Sequence, residues 1–422
     1  MIDESRWPAA DTSTGFVLRL AKALHSYGTP AYELERVIND VARKLGFGLE
    51  CFSLPTMITL SLFEADRNST FVIRVTPGDI NLEKLTRSHD IAERVSHGEI
   101  DVAVAAKELA VITSAPPRWG TLAVILSFGL VSSGVARVFG GDWAEMLSSL
   151  LIGLLVGALA IWTARSLILT YMFPTIAAAL AALASHGLAQ ALGHTSAFIT
   201  LVSGVIVLLP GLMITVGLAE LATQNLVSGT ARLSGAAILF VLMAFGVAVG
   251  DQIGGTFFQS TAYTAPKLLP GWTEWLAVVL AGIGFIILFQ TRLRDGFWVV
   301  LAGMIAYASA RYGSSVLGST GGAFFGAFVI GGVSHLFRFV FDRPNSIMLV
   351  PGIILLVPGS MGFRSLHALL EQNVVAGLDI LFQMILAGIS LVIGLLLSSV
   401  FALPTRRERI RRGDVAAAES GR

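Results

Sequence analysis

Apolar positions recur every three or four residues through TGFVLRLAKALHSYGTPAYELERVINDVARKL, at Val17, Leu20 and Leu24, then at Leu34, Val37, Ile38, Val41 and Leu45. That is the period of an amphipathic helix. Gly28-Thr29-Pro30 interrupts it, which predicts two helices, the second with Thr29 as N-cap and Pro30 at its first position, ended by Gly46. The pattern then changes to two β-like runs, GLECFSLPTMITLSLF and STFVIRV, with EADRN between them as a hairpin turn. Residues 80–95 and 99–113 return to helical spacing, and Ala115-Pro116-Pro117 closes the segment. The prediction is a short disordered start over 1–14 and a small α+β domain over 15–117.

From Gly120 the polar face disappears. Ten apolar runs follow, at about 120–139, 144–163, 167–185, 196–217, 233–254, 274–291, 296–311, 318–338, 345–361 and 378–402. A bilayer crossing takes roughly 20 such residues. Charge follows the same division. Residues 1–118 hold 13 Lys/Arg and 16 Asp/Glu, whereas the 285 residues from Trp119 to Leu403 hold 10 and 9. A polytopic membrane region is thus joined to a soluble-type one. The acidic start, MIDESRWPAADTSTG, does not read as a signal peptide. One cysteine, Cys51, excludes an internal disulfide framework and a cysteine-based metal cage. A net charge of +1 offers no footprint for nucleic acid, and no cofactor or metal site is expected.

Arginines fix the predicted orientation through the positive-inside bias. Arg165, Arg232, Arg292, Arg294, Arg338, Arg343 and the tail RRERIRR fall on the side of the N-terminal domain; Arg137, Lys267, Arg311 and Arg364 fall on the other. Both termini are therefore expected in the cytoplasm, with the spans in the inner (plasma) membrane.

The membrane region also repeats itself. LLPGLMITVGLAELATQNLVSG (208–229) aligns without a gap on LVPGSMGFRSLHALLEQNVVAG (356–377), 148 residues later. The shared positions include the Pro-Gly, the Gln-Asn and the closing glycine. Leu122-Ala-Val-Ile-Leu126 returns as Leu276-Ala-Val-Val-Leu280, and Ser185-His186 as Ser334-His335. Two five-span halves follow, 118–262 and 263–403, with a basic tail over 404–422. An odd number of spans per half inserts the second half upside down. The expected fold is therefore a polytopic α-helical membrane protein, about ten transmembrane helices as two five-helix inverted repeats, with a small N-terminal α+β cytoplasmic domain. Inverted repeats are the architecture of many secondary transporters, which bind their substrate near the midplane.

Candidate chemistry is sparse. Pro210-Gly211 and Pro358-Gly359 break apolar helices at matching places, and such breaks persist in lipid only where protein or a wet cavity satisfies the backbone. They also occur as plain packing kinks. Gln224-Asn225 and Gln372-Asn373 offer uncharged donors and acceptors to a zwitterion or hydroxyl, or serve as interfacial or structural amides. These eight residues are the substrate-binding candidates. Glu220, Asp251 and Asp379 are candidates for a coupling proton because carboxylates are costly in a membrane, although each lies near a span end. His186, His194 and His335 can titrate. The glycine runs GSTGGAFFGAFVIGG and VSGVIVLLPG suit close helix packing. No GxxxxGK[ST] is present, so no ATP-driven pump is read here. His25, Glu33, Glu35 and Asp40 could be arranged for hydrolysis, but neither HExxH nor GxSxG occurs, and the chain does not read as an enzyme.

HSYGTPAYELERVINDVARKLG, the hairpin with LPTMITLSLF, the segment ending KELAVITSAPPRWG and the glycine-rich spans together resemble the threonine/serine exporter family over roughly 14–403. The resemblance implies a soluble domain before about ten spans and export of L-threonine and L-serine driven by protons. A split two-subunit relative of that family is associated with succinate export. No ligand residue is carried over. Dicarboxylate export is one alternative, with Arg137, Arg165 and Arg232 as its candidates; a non-transporting receptor or assembly platform is another. The expected partners are the lipid bilayer, the amino acid and protons; a homo-oligomer is compatible with the sequence.

Overall fold

A computed structural model describes residues 7–64, 67–76, 78, 80–192, 195–258, 269–341 and 343–401. The basic tail, His194, Lys267 and the boundary near 262 lie outside the described residues. The chain divides into two compact units, one built from Met1–Trp119, Val216–Gly235 and Phe289–Arg292, the other from Gly120–Thr215, Ala236–Leu288 and Leu293–Arg422.

In the first unit, α1 (Ser13–Ser26) starts at Thr12, whose side chain accepts the Gly15 N–H, and it buries Phe16, Val17, Leu20 and Leu24. Residues ahead of it, expected to be disordered, lie against it from Trp7 onward. Arg19 donates to the Pro8 carbonyl at 3.0 Å, and its guanidinium sits 5.5 Å from the Trp7 ring. Helix α2 (Ala31–Lys44) departs from expectation by one residue. Its N-cap is Pro30, extended at φ −61, ψ 155, and not Thr29. Proline has no side-chain oxygen to offer the helix end, so the acceptor comes from elsewhere in the chain, as described below.

The sheet also differs. The run predicted as one strand is two, β1 (Gly48–Leu54) and β2 (Met57–Glu64), paired antiparallel with Leu54 opposite Met57. Pro55 explains the fold-back, because a residue without an N–H cannot serve a ladder between two neighbours. β3 (Arg67–Arg74) pairs with β2, giving the order β1-β2-β3. Ile58, Leu60, Leu62 and Ile73 form the buried face. Helices α3 (Leu82–His97) and α4 (Val102–Ser114) pack on α1. Three further ties belong to this unit. The Leu82 N–H donates to the Phe289 carbonyl at 2.8 Å, the Trp119 N–H to Gln290 Oε1 at 3.1 Å, and Arg292 faces Glu83 at 3.5 Å.

The second unit is helical. α5 (Thr121–Val138), α6 (Trp143–Thr163), α7 (Leu167–Leu192), α10 (Leu226–Phe257), Thr320–Phe341, Ser346–Leu370 and α15 (Val374–Val400) are long and apolar enough to cross a membrane; α10 begins within the first unit. α8 (Ala197–Gly204), a 3-10 turn (Ile206–Leu208) and α9 (Gly211–Ala222) make an eighth span if read as one helix bent by 48°. The protein is thus a multi-pass membrane protein. The count of ten is not reached by length and hydropathy among the described residues. α11 (Trp272–Leu288) has only 17 residues, and residues 293–317 run into the next span as α12 (Leu293–Phe341). Gly318 divides α12, since its φ of 76 and ψ of 179 suit a residue without a Cβ. Ser346–Leu370 is itself broken into α13 (Ser346–Leu356) and α14 (Gly359–Leu370).

Candidate functional site

Leu209 and Val357, 148 residues apart, leave their helices with nearly the same backbone: φ −65, ψ 129 and φ −63, ψ 133. Pro210 and Pro358 follow, and Gly211 and Gly359 open α9 and α14. These duplicated breaks touch each other. A Cβ on Gly359 would lie 2.9 Å from Gly211 Cα and 3.5 Å from Leu209 Cβ. One on Gly211 would lie 3.2 Å from Gly359 Cα and collide with Val357 Cγ1. Position 209 meets 359 and position 357 meets 211, the reciprocity of a two-fold contact. The half-helices cross over. Leu212 of α9 packs on Ile353 of α13, Ala327 and Leu391, while α14 packs on α8.

α8 and α6 form a polar seam beside the first break. At one end Ser196 caps α8, and its N–H donates to the wholly buried Glu145 at 2.8 Å. At the other, Gly204 lies against Ile152. Between these ties Thr200 and Ser203 on α8, and Ser148 and Ser149 on α6, are wholly buried and make no hydrogen bond among the described residues. Each such hydroxyl costs about 1–3 kcal/mol, so a polar solute that reaches them is favoured by part of that sum. Glu145 was not among the candidates that the sequence pattern singled out. Its signal was Asp142-Trp-Ala-Glu145 ahead of an apolar run, a capping box that the structure contains.

The Gln-Asn pairs are helix junctions. Gln224 and Gln372 adopt φ of 66 and 63, ending α9 and α14 in left-handed geometry. The Asn225 N–H then returns to the Glu220 carbonyl at 2.7 Å, and the Asn373 N–H to the Ala368 carbonyl at 2.9 Å. Asn373 also caps α15, its Oδ1 accepting the Ala376 N–H at 3.2 Å. α14 has 12 residues, about 18 Å at 1.5 Å per residue. Gln372 and Gly359 are therefore too far apart for one small solute to touch both.

The three carboxylates sit in different surroundings. Glu220, wholly buried in the first unit, accepts the Ala31 N–H on Oε1 at 3.0 Å. Its Oε2 accepts from Ser228 Oγ at 2.8 Å and from Arg232 Nε at 2.9 Å. It is thus the missing cap of α2, supplied from 189 residues away. Asp251 of α10 meets His186 of α7 at 3.1 Å, and Gly254 leaves no room for a Cβ beside the imidazole. Asp379 is exposed and accepts from Gln383 Nε2 at 2.7 Å.

Among the arginines weighed for a dicarboxylate, Arg137 is occupied by Thr273 at 2.7 Å and Glu274 at 3.6 Å. Arg232 is held by Glu220, and Arg165 is exposed. Arg364, assigned from sequence to an outer connection, lies instead within α14. It makes no hydrogen bond or ion pair with any described residue, and its Nε is buried. Its guanidinium sits 4.7 Å from the Phe139 ring centroid and 5.8 Å from that of Phe198 on α8. His367, one turn on, lies 4.9 Å from the same Phe198 ring, with Nδ1 buried and unpartnered. An arginine five residues beyond a Pro-Gly in an apolar run was the available signal. In the first unit, His25 Nε2 is bound to the Leu54 carbonyl at 2.8 Å and Glu35 Oε1 accepts the Ser53 N–H at 3.0 Å. Among the described residues no group of three or more His, Cys, Asp or Glu is placed to hold a metal.

Comparison with known proteins identifies the family. A threonine/serine exporter family model, ThrE, matches residues 15–254, and a second threonine/serine exporter model, ThrE_2, matches 274–401. Pheromone-regulated membrane protein 10 of Eremothecium gossypii is 28% identical over 83% of this chain and 48% of its own length. The protein of the same name from Zygosaccharomyces rouxii is 26% identical over 92% of this chain and 43% of its own. The chain thus spans about half the length of the curated relatives it matches. No solved structure matches. With the two family models meeting the two broken spans, one in each match, the chain belongs to the threonine/serine exporter family.

Proposed function

We propose that the protein is a secondary active exporter of small hydroxy amino acids, L-threonine and L-serine. It works in the inner (plasma) membrane with both termini cytoplasmic, by alternating access of two inverted repeats driven by the proton motive force. The observation that carries this reading is the reciprocal contact of Pro210-Gly211 with Pro358-Gly359. Broken helices that cross at a two-fold are the place where such transporters bind substrate. The orphan hydroxyls of Ser148, Ser149, Thr200 and Ser203 beside it suit a solute with a hydroxyl of its own. For the proton, the His186–Asp251 pair is the favoured carrier of the three carboxylate candidates. It joins two titratable groups across α7 and α10, whereas Glu220 is committed to three donors and Asp379 to an exposed helix face.

Export of a dicarboxylate is a second reading, favoured by the absence of a carboxylate partner for Arg364 among the described residues. The test is efflux of labelled L-threonine and, in parallel, succinate from proteoliposomes with and without an imposed pH gradient. Gradient-dependent threonine efflux is expected. Succinate efflux alone would favour the second reading, and movement of neither by folded protein would remove both.

A further inference from the structure

A planar cation within a membrane helix is costly unless something answers its charge. Every other arginine of the helical spans whose interactions are described has a carboxylate within reach or lies exposed at a span end. Arg364 has two phenyl faces. Rings against the guanidinium plane hold it in place while leaving its edge, the forked row of N–H donors, as the surface that forms hydrogen bonds. That fork matches a carboxylate in bidentate geometry. Arg364 also stands five residues beyond Gly359, about 7.5 Å along α14, on the half-helix that packs against α8.

His367 adds the complementary group. It is three residues from Arg364, so the two share a face of α14, and both lie against Phe198. Its Nε2 is 3.5 Å from Glu371 Oε1. Placing the ring proton there leaves Nδ1, which is buried and unpartnered, as a lone-pair acceptor in the neutral imidazole. A donor fork and a lone-pair acceptor one turn apart are what the head of an α-amino acid requires, one for its carboxylate and one for its ammonium. The equivalent positions 148 residues earlier are Val216 and Ala219, so the chain carries this pair once.

We infer that Arg364 and His367, framed by Phe139 and Phe198, form the subsite that binds the carboxylate and ammonium of the transported amino acid. The inference rests on the exporter reading and goes beyond it by naming the residues that recognise the zwitterion. It also predicts that a dicarboxylate, with no ammonium to offer, is the poorer ligand.

The test is concentration-dependent uptake of L-threonine into proteoliposomes, with L-threoninol, which lacks the carboxylate, as competitor. For Arg364→Gln the half-saturating threonine concentration should rise about 10- to 100-fold, the scale of a lost charge-assisted bidentate contact. The maximal rate should change far less. Arg364→Lys should fall between the two, and His367→Phe, which keeps a ring against Phe198, should raise half-saturation about 5- to 10-fold. L-threoninol should compete poorly with wild type. An unchanged half-saturating concentration in folded Arg364→Gln, or threoninol competing as well as threonine, overturns the subsite while leaving the exporter reading intact. If Arg364→Gln does not fold, Arg364→Lys and Phe198→Leu decide: unaltered half-saturation in both overturns it. Wild-type protein that moves no amino acid removes the exporter reading and the subsite with it.

Discussion

Removing the Glu220 carboxylate tests whether a distant residue completes the first unit. Glu220 is wholly buried and satisfies three donors: the Ala31 N–H at 3.0 Å, Ser228 Oγ at 2.8 Å and Arg232 Nε at 2.9 Å. Glu220→Ala deletes the cap of α2, a loss of about 1 kcal/mol. It also strands a guanidinium whose side chain is 19% exposed. Stranding one partner of a buried pair costs about 3–5 kcal/mol, so that effect dominates. Amide exchange at Ala31 and along α2 from Leu34 onward should then accelerate by roughly two orders of magnitude or more, since each 1.4 kcal/mol is tenfold. Removing both charges should do less harm than removing one, because a pair replaced by apolar groups is often nearly neutral. Hydrogen-exchange mass spectrometry on the full-length protein in detergent would follow Glu220→Ala, Glu220→Leu, Arg232→Met and the Glu220→Leu/Arg232→Met double variant. The reasoning fails if α2 exchange is unmoved by Glu220→Ala, or if the double variant is as damaged as Glu220→Leu.

Three other outcomes can be checked with the same preparation. Gly359→Ala places a Cβ 2.9 Å from the Gly211 backbone, and overpacking of this kind costs about 1–3 kcal/mol; a lowered melting temperature and slowed transport are expected, and wild-type values in both would remove the tight crossing. Gln372→Gly keeps a residue content with φ of 63 while deleting the amide, so stability should hold or rise by up to about 1 kcal/mol. Retained transport would mark Gln372 as a cap, and lost transport in stable protein would mark its amide as a substrate ligand. His25 is buried, which holds its imidazole below the ordinary 6.5; the Leu54 carbonyl opposes this, Arg232 adds to it and Glu220 opposes it. The unfolded chain therefore takes up the proton first, so stability is full above about pH 6.5 and falls as the pH drops below it. A melting-temperature series from pH 7 to 5 should show wild type losing more stability than His25→Gln, and parallel lines would refute the assignment.

Much of this architecture was legible because it rests on local rules. Helical periodicity located α1 to α4, unbroken hydrophobicity marked the membrane region, and the repeated Pro-Gly located both helix breaks. What escaped depended on contacts between segments far apart in sequence. Thr29 has the chemistry of a cap and Pro30 does not, yet the cap comes from Glu220, which no local window contains. Pro55 turned one predicted strand into two. Its presence inside a β-like run was a warning, because a proline there demotes the run. Arg364 was placed in a loop by counting charges toward orientation, a statistic blind to which arginines have partners. The ten spans were counted from apolar runs, but the lengths of α11 and of residues 293–317 depend on where neighbouring helices end.

The ties of Leu82 to Phe289, Trp119 to Gln290 and Ala31 to Glu220 also bear on the order of events during synthesis. The N-terminal segment leaves the ribosome first, yet the partners that finish it are encoded as late as Arg292. The interval from 119 to 292 is 173 residues, roughly 9 to 35 s at 5–20 residues per second. Ala31 and Glu220 are 189 residues apart, so α2 has no acceptor for its first N–H for roughly 9 to 38 s at the same rate. Completion of the first unit therefore waits on segments that follow the first broken span and α11 in the chain, which ties its folding to the progress of the helical region.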